Sequence, residues 1–148
     1  MPTKLLNEDI LGQIREVFEQ LQQPVEVLFF GRQSDCMYCD DTLQLVSEVV
    51  ELSDKLGLSV YDLDEDAAIA QQYRVDKAPG MVIAGRDGDQ ILDFGIRYAG
   101  IPSGHEFSSL IHDFVLVSGR DSGLSEKTRN YLKSLKDPVH LQVFVTPT

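Results

Sequence analysis

The chain has 148 residues, 43% of them hydrophobic and 25% charged, the balance of an ordinary globular domain long enough to bury a core. Its 24 acidic residues against 13 basic ones give a formal net charge of −11 with no basic run. Such a field repels phosphate backbones and argues against a nucleic-acid partner. No apolar stretch has signal-peptide length at the N-terminus, or the roughly 18 residues a membrane helix needs, so the expectation is a cytoplasmic protein with no membrane partner.

In chain order, Asn7 suits the N-cap of a first helix that places Ile10, Ile14, Val17, Phe18 and Leu21 on one face. Gln23-Pro24 ends it, and the nearly continuous apolar run Val25–Phe30 predicts a buried strand. From about Met37, the residues Leu43, Val46, Val49, Val50 and Leu56 recur at helical spacing, with Gly57 as the expected C-cap. Ser59–Leu63 predicts a second strand, and Asp64-Glu65-Asp66 leads a short helix through Gln72. A strand–helix–strand connection of this length predicts a parallel, right-handed crossover. Ala78-Pro79 precedes a strand from Met81 to Ala84, and a turn at Asp87-Gly88 joins it to a strand from Gln90 to Phe94, as in a hairpin. Ser103 and Glu106 are spaced as a capping box before a helix carrying Phe107, Leu110, Ile111, Phe114 and Val115, and a last helix runs roughly from Ser125 to Leu135.

This order predicts an α/β fold of the thioredoxin-like layout, a mixed parallel and antiparallel sheet flanked by helices. In open α/β sheets the chemistry lies beyond the C-terminal end of a central strand. Cys36-Met37-Tyr38-Cys39 falls there, a short loop after Phe30, and holds the only two cysteines of the chain. Two intervening residues make one helical turn, a spacing that suits a reversible intramolecular disulfide. Cys36, the outer member at the helix start, is the expected nucleophile, because unpaired N–H groups there favour a thiolate. Cys39, one turn in, is the expected resolving thiol. Asp35, Asp40 and Asp41 disfavour the thiolate unless Arg32 and Lys77 offset them, which predicts a reducing rather than a strongly oxidising couple. One CxxC offers two ligands where structural zinc almost always takes four, and His105, His112 and His140 are scattered. Neither a metal nor another cofactor is expected.

The tail repeats the start of the domain. Pro138-Val139-His140-Leu141-Gln142-Val143-Phe144 matches Pro24-Val25-Glu26-Val27-Leu28-Phe29-Phe30 without gaps, and a helical segment precedes each run.

Four strings carry a wider resemblance: Cys36–Asp40, Tyr73–Pro79, Phe94–Phe107 and Val143–Thr148. On them the chain resembles the N-terminal part of the two-unit, glutaredoxin-like protein disulfide oxidoreductases of thermophilic archaea and bacteria. The resemblance implies one thioredoxin-like unit over residues 1–120, followed over 121–148 by a linker helix and the first strand of a second unit. It also implies a cis bond at Ala78-Pro79, which would present the backbone of Ala78 to an extended substrate beside the disulfide. Tyr38, Ala78 and Pro79 are the expected substrate-binding residues. Thioredoxins hold a buried Asp about six residues before the nucleophile. Here that position is Phe30, which leaves proton transfer to solvent, or to Glu26 if that residue faces the site.

The implied activity is dithiol–disulfide exchange on protein disulfides through Cys36 and Cys39, with an NADPH-dependent flavoprotein disulfide reductase as electron donor. Two alternatives stay open: a substrate- or partner-docking module with little turnover, and a glutathione-dependent glutaredoxin. The tail strand 139–145, with no sheet partner, could dock on the first unit or dimerise the protein.

Overall fold

Seven consecutive residues with no exposed member form the centre of this protein. The structure, a computed structural model, describes residues 3–146. Strand β1 (Val25–Gly31) is buried throughout. It pairs in parallel with β2 (Leu56–Asp62), from Val25 opposite Leu56 to Gly31 opposite Asp62. On its other side it pairs antiparallel with β3 (Gly80–Asp87), from Val25 opposite Gly85 to Phe30 opposite Gly80. With β4 (Gln90–Ala99) the sheet has the order β2-β1-β3-β4, the mixed arrangement expected from the sequence.

Alternation along the strands divides the core in two. Val27, Phe29, Met81 and Ile83 point to the face covered by α1 (Glu8–Phe18), α2 (Cys39–Val50) and α4 (His105–Gly119). Leu28, Phe30, Val82 and Ala84 point to the other, which Leu63 and Ala70 of the segment around α3 (Ala67–Gln72) cover. Full burial on both faces explains why β1 reads as an unbroken apolar run.

Local signals set several boundaries as expected. The Asn7 side chain accepts a hydrogen bond from the Ile10 N–H at 2.9 Å and caps α1. Ser125 caps α5 (Glu126–Lys133) by accepting from the Thr128 N–H at 3.2 Å.

Three boundaries differ. Helix α2 ends at Val50 rather than near Gly57, because Leu56 leaves the helical register to pair with Val25. Gly57 therefore lies in β2, where the Glu26 carboxylate fills the space a Cβ would need. Strand β4 continues past Phe94 to Ala99, through Gly95 at φ 87°, so the hairpin is longer than its apolar pattern suggests. The capping box does not form. Helix α4 begins at His105 with Gly104 as N-cap (φ 61°), which leaves Ser103 outside it and Glu106 one position too early.

The tail differs most. Beyond α5, residues 135–146 have no regular structure, and Val139, Leu141, Val143 and Phe144 are 63–88% exposed. The expected strand over 139–145 is not formed, because no ladder is present to satisfy its backbone. The helix also reveals that the repeat reaches further back than the strands. In the same register, Val17, Phe18 and Leu21 of the first copy fall opposite Tyr131, Leu132 and Leu135. Phe18 and Leu21 are core residues, whereas all three counterparts near α5 are exposed.

One charge lies inside the sheet layer. Glu26 is only 2% exposed, accepts a hydrogen bond from Ser59 Oγ at 2.6 Å, and has Arg86 Nη2 at 3.3 Å from Oε2. Arg120 holds that corner by donating to the C=O groups of Pro24 and Arg86, each at 3.0 Å. Removing Arg86 would leave the carboxylate buried without its counter-charge. Arg86→Met should therefore cost about 2 kcal/mol, below the range for a fully buried pair because Arg86 is partly solvated. The double variant Glu26→Met/Arg86→Met should recover most of that loss in urea titrations. Equal stability of wild type and the single variant would refute it.

Candidate active site

The C-terminal end of β1 is where the chain leaves the sheet. Gly31 closes the strand, and a Cβ there would press on the Phe29 ring at 2.9 Å, with Cys39 Sγ in ordinary contact at 3.7 Å. The loop then turns through Asp35, at φ 55°, to Cys36. Cys36 and Cys39 form a disulfide with Cα atoms 5.5 Å apart. Helix α2 starts at Cys39, with Tyr38 as N-cap and its first bond running from the Thr42 N–H to the Tyr38 C=O at 2.9 Å. Cys36 thus lies just ahead of the helix rather than in its first turn. Cys39 is 6% exposed and packs into the main core, whereas Cys36 is half-buried. Tyr38 is half exposed, and Met37 beside it stands out at 84%.

Ala78-Pro79 reaches the same place from another direction. The bond between them is cis. Gly80, which opens β3, lies opposite Phe30 near the end of β1, so Pro79 sits at the cysteine end of the sheet. Pro79 is buried and its C=O accepts from the Gly100 N–H at 2.9 Å. Ala78 is half-buried between the two apolar clusters, and its N–H and C=O take no part in the backbone hydrogen bonds among the described residues. An unpaired backbone unit at a sheet end is what an added extended segment requires. On the outer side of this loop, Arg74, Lys77, Arg97 and Tyr98 line a cleft of about 250 Å³. Sequence reading did not single out this cleft, since its residues come from the loop, the start of β3 and the end of β4. Tyr98 donates to Asp113 at 2.6 Å, and burial, reinforced by that carboxylate, pushes its hydroxyl well above the usual tyrosine range.

The charges are already committed. Arg32 grips Asp64 through Nε at 2.8 Å and Nη2 at 3.1 Å, and that contact raises its pKa. The N–H groups of Glu65 and Asp64 hold the Asp62 carboxyl below its ordinary range. Lys77 pairs with its neighbour Asp76 at 2.8 Å. Both cations are thus paired with other carboxylates, although Arg32 also senses the charge of Asp35, and Asp35, Asp40 and Asp41 are all exposed. Glu26 lies near the opposite end of β1, held by Ser59 and Arg86, and does not face the cysteines. Phe30 is wholly buried. Among the described residues no group of three His, Cys, Asp or Glu side chains could hold a metal, and no helix is long and apolar enough to cross a membrane.

This fold and site define a thioredoxin-like unit bearing a CxxC disulfide. No protein-family model matches the chain. Among solved structures it is similar to a protein disulfide oxidoreductase of Aeropyrum pernix, with 32% identity and a TM-score of 0.74 over 88% of this chain and 55% of that one. It is also similar to the F subunit of alkyl hydroperoxide reductase of Enterococcus faecalis, with 26% identity and a TM-score of 0.77 over 88% of this chain and 61% of that one. Among curated proteins, the F subunit of the Staphylococcus epidermidis alkyl hydroperoxide reductase is 26% identical over 144 residues. That match takes in 97% of this chain, which spans 25% of the relative's length. The resemblance seen in the sequence thus extends to the thioredoxin-like part of both kinds of protein. Of the string Val143–Thr148, its last two residues lie outside the described ones.

The difference in burial between the two sulfurs has a direct consequence. In the reduced protein a small alkylating agent should modify Cys36 at least about tenfold faster than Cys39, since access and thiolate character set the rate. Peptide mass spectrometry after brief iodoacetamide treatment reads this, and faster labelling of Cys39 would reverse the assignment of roles.

Proposed function

We propose that the chain is a thiol–disulfide exchange unit acting on protein disulfides. The observation that carries this reading is the disulfide between a half-buried and a buried cysteine, set at the same sheet end as the unpaired backbone of Ala78. In the reducing direction the Cys36 thiolate attacks a substrate disulfide, and one substrate sulfur leaves as a thiolate. The Cys39 thiolate then attacks Cys36 Sγ, the second substrate sulfur departs, and the Cys36–Cys39 disulfide remains. Ala78 and Pro79 would align the substrate as an added strand, and Tyr38 would border the groove. The exposed aspartates, with Arg32 and Lys77 paired to other carboxylates, support a reducing couple. They also make a poor seat for an anionic tripeptide, which weighs against dependence on glutathione.

Two electrons must return the disulfide to the dithiol. An NADPH-dependent flavoprotein disulfide reductase is the proposed donor, and the similarity to alkyl hydroperoxide reductases supports a reductase setting for the unit. The same similarity favours a second reading, in which the unit serves a hydroperoxide-reducing system rather than proteins at large. Insulin reduction with dithiothreitol tests the first. Wild type should accelerate precipitation and Cys36→Ser should abolish the effect, while equal activity of the two would leave only a docking module.

We further propose that residues 121–148 open a second thioredoxin-like unit. Support comes from the repeat itself, in which Leu132, Leu135, Val139, Leu141, Val143 and Phe144 match core residues in or just after α1 and in β1 yet are exposed. Phe144→Asp should therefore change stability by less than about 0.5 kcal/mol, whereas Phe30→Asp, its counterpart in β1, should cost more than about 3 kcal/mol. A large loss from Phe144→Asp in thermal unfolding would make the tail part of the first unit instead.

A further inference from the structure

Thr42 has a polar side chain that the exchange mechanism leaves unused. It is wholly buried on the inner face of α2, and its Oγ1 has no hydrogen-bond partner. Buried hydroxyls are almost always paired, so an exception asks for a reason. A helical Ser or Thr commonly donates to the C=O one turn back. Ser47 in the same helix does so, to the Leu43 C=O at 2.7 Å. Thr42 does not, and the Tyr38 C=O one turn back receives only its backbone N–H.

Side chains on a helix lean over the residues three and four positions earlier. For Thr42 the residue three earlier is Cys39, and both belong to the buried face of α2 with Leu45, Val46 and Val49. The surroundings of that face are apolar, including Phe29, Met81 and Ile83. Cys39, with its sulfur, thus lies on the side toward which the hydroxyl leans. As half of a disulfide that sulfur is a poor acceptor, and as a thiolate it is a strong one.

Resting on the assignment of Cys36–Cys39 as the reacting couple, we propose that Thr42 Oγ1 is a hydrogen-bond donor to the Cys39 thiolate, unpartnered in the disulfide and paired on reduction. In the mixed disulfide between Cys36 and substrate, Cys39 loses its proton to water and its thiolate accepts from Thr42. Attack on Cys36 Sγ forms the Cys36–Cys39 bond and breaks the bond to substrate, whose sulfur leaves as a thiolate and takes a proton from water. Thr42 keeps its own proton throughout. The hydroxyl helps Cys39 ionise on a face where Phe29 and Ile83 offer no polar group and Glu26 lies near the other end of β1.

The sign follows from which form gains the bond. At a pH high enough to ionise Cys39 in the reduced protein, the hydroxyl favours the reduced state, so removing it there should favour the disulfide. In dithiothreitol buffers at that pH, followed by intact mass after alkylation, Thr42→Val should shift the equilibrium toward the disulfide about tenfold, equivalent to about 30 mV more negative. Thr42→Ser, which keeps the hydroxyl, should return within twofold of wild type. Thr42→Ala serves as a second hydroxyl-free variant if the valine disturbs folding. A hydroxyl of merely structural effect would alter the melting temperature of Thr42→Val and leave the couple within twofold, about 9 mV, of wild type, which would overturn the assignment. A wild-type protein with no reversible couple would instead overturn the exchange reading on which this one rests.

Discussion

The whole arrangement depends on β1 being enclosed on both faces and both edges. A strand between a parallel and an antiparallel neighbour has no freedom of register, because a one-residue slip would exchange its two core faces. Phe29 and Phe30 therefore point in opposite directions into separate clusters. The end of β1 then fixes where Gly31 releases the chain, and pairing of Phe30 with Gly80 fixes where Pro79 meets it. Two stretches far apart in sequence are brought to one end of the sheet by a single register.

At that end the electrostatics are shaped by pairs that exclude the cysteines. Arg32 is the basic residue between β1 and the CxxC, and its bidentate grip on Asp64 ties the loop to the segment after β2. A guanidinium used in this way orders the loop more than it polarises a thiol, and its field is largely cancelled by the carboxylate. Asp35, Asp40 and Asp41 stand in water, where screening weakens their field.

Much of this was legible in the residues, for physical reasons that differ from place to place. Val25–Phe30 announced a central strand because burial on both faces leaves no polar position to write. Asn7 and Ser125 announced helix starts because their side chains do that work locally. Leu56 misled because seven residues after Val49 it fits a helical face, and only its pairing with Val25, a contact between segments, draws it into the sheet. Ser103 and Glu106 misled because the left-handed backbone of Gly104 moves the helix start by one residue. The cysteine pair could be found from spacing, and Pro79 only through resemblance to known proteins. Thr42 could not be found at all, since nothing in a sequence marks a hydroxyl as unpaired.

The two copies of the β1 pattern carry the same lesson to its limit. Val25, Val27, Phe29 and Phe30 are each at most 2% exposed, while Val139, Leu141, Val143 and Phe144 are nearly the same residues in the same order and stand open to solvent. Their intrinsic preferences are alike, so the difference lies in neighbours: β2 and β3 supply two hydrogen-bonding edges, and α1, α2, α4 and α3 supply two apolar roofs. A β-pattern is thus a capacity that partners convert into a strand. Helix α5 shows the complementary case. Its cap and internal bonds are local, so it forms without a roof, and Tyr131 and Leu132 remain exposed. That a helix forms here while its following strand does not is what separates local from long-range structure in this chain.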